Sequence, residues 1–112
     1  MPAIDPDALV AQMETAMTHA AKADISQLEG FSKAQLHDIA QQAATIAAGA
    51  LDGSITGPTR DYFLQSLAEL TRSFVNTLAG LAVISIEEVW NAAVGVIWGA
   101  INKAAGLALT PP

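Results

Sequence analysis

The chain has 112 residues, of which 52% are hydrophobic and only 14% charged, with 5 basic against 11 acidic side chains and a formal net charge of −6. That length suits one domain, and the acidity removes the basic footprint of a duplex-binding protein, so direct nucleic-acid binding is not expected. The absence of cysteine excludes disulfides, thiol catalysis and thiolate metal sites.

The first seven residues carry Asp5 and Asp7 but no Lys or Arg, so they do not read as a cleavable leader and leave location open. Asp5-Pro6 instead reads as an N-cap followed by proline at the first helical position, with Asp7 adding negative charge to the first turn. The first predicted helix runs to about Ala23, its apolar side Leu9, Met13, Ala16, Met17 and Ala20. Residues 24–31, which include Gly30, read as a turn containing one short helical turn.

Ser32 is the expected N-cap of the second helix. Its apolar residues Leu36, Ile39, Ala43, Ile46 and Ala50 step by three and four, a heptad seam with small side chains. Alanine contributes 23 residues to the chain, favouring helix at little entropic cost and letting helices approach closely. Residues 52–58, Asp52-Gly53-Ser54-Ile55-Thr56-Gly57-Pro58, form the clearest break. The Asp-Gly-Ser run is not a calcium loop, because Ala48 and Thr59 stand where the first and last ligands would be needed.

Thr59 is the expected cap of the third helix, whose stripe Phe63, Leu67, Leu70, Phe74, Leu78 and Leu81 is widened by Leu64, Val75, Ala79 and Ala82. It should end near Val83, since Ser85-Ile86-Glu87-Glu88 fits a capping box opening a fourth helix from Ile86 to about Ala105, stopped by Gly106. One bent helix through Ile84–Ile86 is the alternative. The expected fold is therefore all-α, a single small bundle of about four helices over residues 1–112. Residues 1–51 give an acidic, amphipathic pair that covers an apolar pair from 59–112.

Charge is distributed unevenly. Residues 1–61 hold 8 acidic and 3 basic side chains, and from Ser73 onward the only charges are Glu87, Glu88 and Lys103. The apolar C-terminal stretch is long enough to cross a bilayer. However, the Glu pair near its middle would cost about 2.5–3.5 kcal/mol per residue on insertion, so a simple span is disfavoured and membrane contact through residues 74–105 stays a possibility. Asn91, Gly95 and Gly99 fall at four-residue spacing on one side of the fourth helix, and a mid-helix glycine costs roughly 1 kcal/mol against alanine, so a close helix contact is expected there. Trp90 and Trp98 lie about 80° apart around that helix. One belongs to the core, and Trp98, beside the glycines, is the candidate anchor at an interface or at the membrane–water boundary; the alternative is that both are partly buried core aromatics.

No catalytic arrangement emerges. His19 and His37 stand in separate helices without Glu-x-x-His or His-x-x-x-His spacing, so no metal site is expected, and no cofactor loop is present. The expectation is a non-enzymatic protein that forms a homo-oligomer or joins a larger assembly. Association would run through Phe63, Leu67, Leu70, Phe74, Leu78 and Leu81 together with Trp90, Asn91, Gly95, Trp98 and Gly99. In composition, though through no defined motif, the chain resembles accessory components of phage particles or secretion machines. The alternatives are a membrane-active protein that inserts its last two helices as a pore or delivery channel, and a small adaptor that binds a partner helix.

Overall fold

The protein, described by a computed structural model over residues 3–112, forms four helices. They are α1 Pro6–Ala21, α2 Lys33–Asp52, α3 Gly57–Thr77 and α4 Val83–Ala105, with a 3₁₀ turn at Ile25–Gln27 between the first two. Met1 and Pro2, the start of the segment read for a leader, lie outside the described residues. Local chemistry sets the first two helix starts. Asp5 adopts an extended conformation and its carboxylate accepts from the Asp7 N–H at 3.0 Å, while the Ser32 hydroxyl accepts from the Gln35 N–H at 3.1 Å. Each satisfies an N-terminal amide that has no partner within the helix. Helix α1 ends two residues earlier than expected because Lys22 turns left-handed at φ 55°.

The α2–α3 connection is tighter than the sequence suggests. Gly53 closes α2 at φ 84°, the Asp52 carboxylate accepts from the Ser54 N–H at 2.8 Å, and the Ile55 N–H returns to the Gly49 carbonyl at 2.9 Å. The Ser54 hydroxyl, and after it the Ser54 N–H, hold the exposed Asp52 carboxyl below its ordinary pKa. Thr59 is not the cap of α3: the helix starts at Gly57, with Thr56 in the cap position and Pro58 in the first turn. Proline's fixed φ and missing N–H suit that turn, where the amide would be unpaired in any case.

The α3–α4 connection also departs from expectation. Helix α3 stops at Thr77, not near Val83, and α4 begins at Val83 with Ala82 in the cap position, so Ser85 lies inside the first turn and the Ser85–Glu88 capping box does not form. Nor is there one bent helix, because Gly80 takes φ 86° between the two. Tertiary contacts decide the stop. The Ala79 N–H reaches the Glu29 carbonyl at 2.9 Å, and the Thr77 hydroxyl sits 2.6 Å from the Phe74 carbonyl and 3.4 Å from that of Gly30. The end of α3 is thus tied to the α1–α2 connection.

Gly30 makes this docking possible. It holds φ +91°, and a β-carbon there would run into the Thr77 carbonyl. Gly30→Ala is therefore expected to lower the unfolding free energy by about 3 kcal/mol, from left-handed strain plus a backbone clash that no side-chain motion relieves. Urea unfolding checks it.

Packing alternates up and down. Ala3 and Ile4 share a pocket wall with Ala47, Leu51 and Ala104, so the start of α1 lies beside the ends of α2 and α4. One continuous core results, and all four helices contribute to it. Leu9, Val10, Met13 and Met17 of α1 and Leu36, Ile39, Ala43 and Ile46 of α2 are as buried as Leu67 and Phe74 of α3 or Ile97 and Ile101 of α4. Helices α2 and α4 are the common partners, each packing against the other three.

The buried side of α3 is rotated from the predicted stripe toward Leu64, Leu67, Thr71, Phe74 and Val75. Thr71 enters the core because its hydroxyl donates to the Leu67 carbonyl at 2.8 Å, which satisfies the only polar atom it brings.

After Gly106 the chain folds back. The Asn102 side chain donates to the Leu109 carbonyl and accepts from the Leu109 N–H, both at 2.9 Å, and Leu109 joins Trp98, Leu64 and Ala68 around one groove. Asn102→Ala is expected to free this tail, costing about 1–2 kcal/mol for the two bonds. In a Trp90→Phe background it should also make Trp98 fluorescence more accessible to acrylamide.

Candidate interaction surface

The residues expected to carry association separate into three groups. Leu67, Phe74, Leu78 and Trp98 are core residues, from 0 to 3% exposed, and cannot meet a partner while the fold is intact. Trp98 is thus the buried tryptophan, reversing the expected assignment. Trp90 is half-buried, with the Arg72 guanidinium 4.9 Å from its ring centroid and held there by a 2.8 Å bond to Glu87. The Arg72–Glu87–Trp90 set ties α3 to α4 near their connection.

The second group borders a groove between α2 and α3. Phe63 and Leu70 line it with Ile46, Ile55, Gln42 and Asp38, and its volume is about 440 Å³. Phe63 is 40% exposed and stacks edge-on with the more exposed Tyr62 at 5.8 Å. Leu81 belongs with neither group; it lies half-buried in the α3–α4 connection, outside the helix where the stripe placed it.

The third group is the exposed side of α4. Asn91, Gly95 and Gly99 face solvent, and a β-carbon added at either glycine would have no neighbour within 4 Å. Among the described residues, therefore, nothing makes the close crossing expected at Gly95 and Gly99. Instead the two glycines border a groove of about 500 Å³ between α4 and the first half of α1, together with Ala8, Gln12, Val96 and Ala100. Asp5 and Lys103 also line it, and among the described residues they are the only charged ones that do.

Two exposed features escaped the sequence reading. Val83 and Ile84, 79% and 70% exposed, form an apolar tip at the start of α4. Assigning them to the end of one helix and the junction with the next hid them, although Gly80 signalled the earlier break. The exposed side of α1, Asp5, Ala8, Gln12, Thr15 and His19, carries no apolar periodicity or charge run that would mark it in the sequence.

Helix α4 is, by length and composition, long and apolar enough to cross a membrane, and only 33% of its most apolar window is buried in the fold. The two glutamates fall in its first turns, not mid-segment, which weakens the objection raised from a span centred on them. Among the described residues no group of three His, Asp or Glu side chains is placed to hold a metal ion. Compared with protein-family models, curated proteins and solved structures, the chain has no match in any.

Proposed function

We propose that the protein is a non-enzymatic assembly component, of the accessory type found in phage particles or secretion machines, which self-associates through the exposed side of α4. The observation that carries this reading is the pair Gly95 and Gly99. Each lowers helix stability by roughly 1 kcal/mol relative to alanine, and among the described residues neither is needed for space by the packing. A close backbone approach from another molecule gives them a physical role. The reading moves the interface away from the α3 residues Leu67, Phe74 and Leu78, which the core occupies.

A membrane-active role is the second reading, favoured by the length and apolar character of α4 and by the exposed Val83–Ile84 tip. Light scattering and liposome flotation on one purified sample separate the two. A discrete soluble oligomer that stays with the aqueous fraction is the expected result. Quantitative flotation with a blue shift of tryptophan emission would overturn it in favour of membrane insertion, and a lipid-indifferent monomer would sink both.

A further inference from the structure

We infer that the partner of this face is a second copy of the same chain, packed about a two-fold axis perpendicular to the helices so that α4 lies antiparallel to its copy with Gly95 at the crossing. This rests on the self-association reading and goes further, specifying occupant, direction and register.

The argument starts from the charges at the two ends of the face. Along α4, Glu88, Asn91, Gly95, Gly99 and Lys103 are all exposed, and at 3.6 residues per turn they fall within about 120° of arc. The acid stands at the N-terminal end, the base at the C-terminal end, and nothing charged lies between. Among the described residues neither Glu88 nor Lys103 forms an ion pair. A helix side with opposite charges at opposite ends is complementary to itself when turned end for end: Glu88 of each copy comes level with Lys103 of the other. The midpoint of that pair falls between Gly95 and Val96, so the charge register brings the helices closest where a side chain is missing.

Helix α1 meets the same symmetry. Its exposed side runs Asp5, Ala8, Gln12, Thr15, His19, with Gln12 at its centre. Because α1 is antiparallel to α4 and Ile4 lies by Ala104, Gln12 comes level with Gly95, and both line the same groove. One axis therefore passes through the middle of both helices. It sets α1 against its own copy with Asp5 level with His19, and the small residues Ala8, Gly95 and Gly99 let the four helices close up. The competing axis, parallel to the helices, would set Lys103 against Asp5 of the copy.

Mixing experiments read the register directly. Lys103→Glu and Glu88→Lys chains should each self-associate about tenfold more weakly than the unaltered chain, since exposed pairs contribute modestly and two change sign together. Mixed, they should form the heterodimer preferentially, which no contact within one chain can produce. Cysteine cross-linking checks the same register on a chain without native cysteine. A Gln12→Cys chain, altered at the axis, should link to its own kind on oxidation, while an Asn91→Cys chain should not, its like positions being roughly 13 Å apart along the helices. A Glu88→Lys chain that self-associates normally, or ready Asn91→Cys self-linkage, would overturn the antiparallel register. A monomer at every concentration, unaltered chain included, would remove the self-association reading along with it. A stable oligomer indifferent to both charge substitutions would remove this geometry alone.

Discussion

Phe74→Ala is expected to lower the unfolding free energy by about 3–5 kcal/mol, measured by urea denaturation, while Phe63→Ala on the same helix costs about 1–2 kcal/mol. Phe74 is fully buried and meets Phe31 edge-on, with ring centroids 6.0 Å apart. Phe31 lies in the α1–α2 connection, so the pair fastens the end of α3 to the same region that Gly30 and Glu29 hold by backbone contacts. Truncation removes both the apolar transfer energy and the edge contact, leaving a cavity beside a backbone that hydrogen bonds already fix in place. A domain of this size has about 5–15 kcal/mol in total, so the variant should be near its folding limit at 37 °C. Phe63, 40% exposed at the edge of the α2–α3 groove, has less burial to lose and leaves no enclosed cavity. Similar losses at the two positions would mean that α3 buries the stripe read from the sequence and not the rotated one.

That contrast shows where sequence reading worked. The caps Asp5 and Ser32 and the heptad seam of α2 were legible because each depends on residues within one or two turns: a side-chain oxygen reaching an amide two or three positions on, or apolar residues recurring on one side. The buried side of α3 was not, because Thr71 counts as polar until its hydroxyl is seen bonded to the Leu67 carbonyl. Once Thr71 is admitted, the core shifts toward Leu64 and away from Phe63 and Leu70. The α3–α4 break failed for a different reason. Ser85 and Glu88 have the right spacing for a capping box, but α3 is stopped eight residues earlier by the Ala79 bond to Glu29, which lies some fifty positions away in the chain. With α3 stopped, α4 starts at Val83 and Ser85 is no longer at a terminus. The tryptophans exchanged roles because Arg72 supplies a polar partner for the face of Trp90, which therefore tolerates half-exposure, and the returning tail at Leu109 helps to cover Trp98. For the candidate interface, Asn91, Gly95 and Gly99 were legible as one side of a helix, but whether that side met the chain's own helices required the fold.

Gly95→Leu is expected to abolish self-association, read as a fall to monomer mass in light scattering, while helix content by circular dichroism is unchanged. The side chain would project from an exposed position into space that the fold leaves open, so the monomer accepts it, whereas a neighbouring helix whose backbone packs over Gly95 does not. An unchanged oligomer mass would refute the close-contact role of this face. Gly95→Ala sharpens the test because it moves two observables in opposite directions. In the monomer it removes the conformational freedom of a mid-helix glycine without meeting any neighbour, raising stability by roughly 0.5–1 kcal/mol. In the assembly its methyl group spaces the helices apart and weakens association. Stability rising at low concentration while the oligomer weakens is the signature of a glycine kept for a contact between molecules. Had Gly95 instead served packing within the bundle, the same substitution would destabilise the isolated chain.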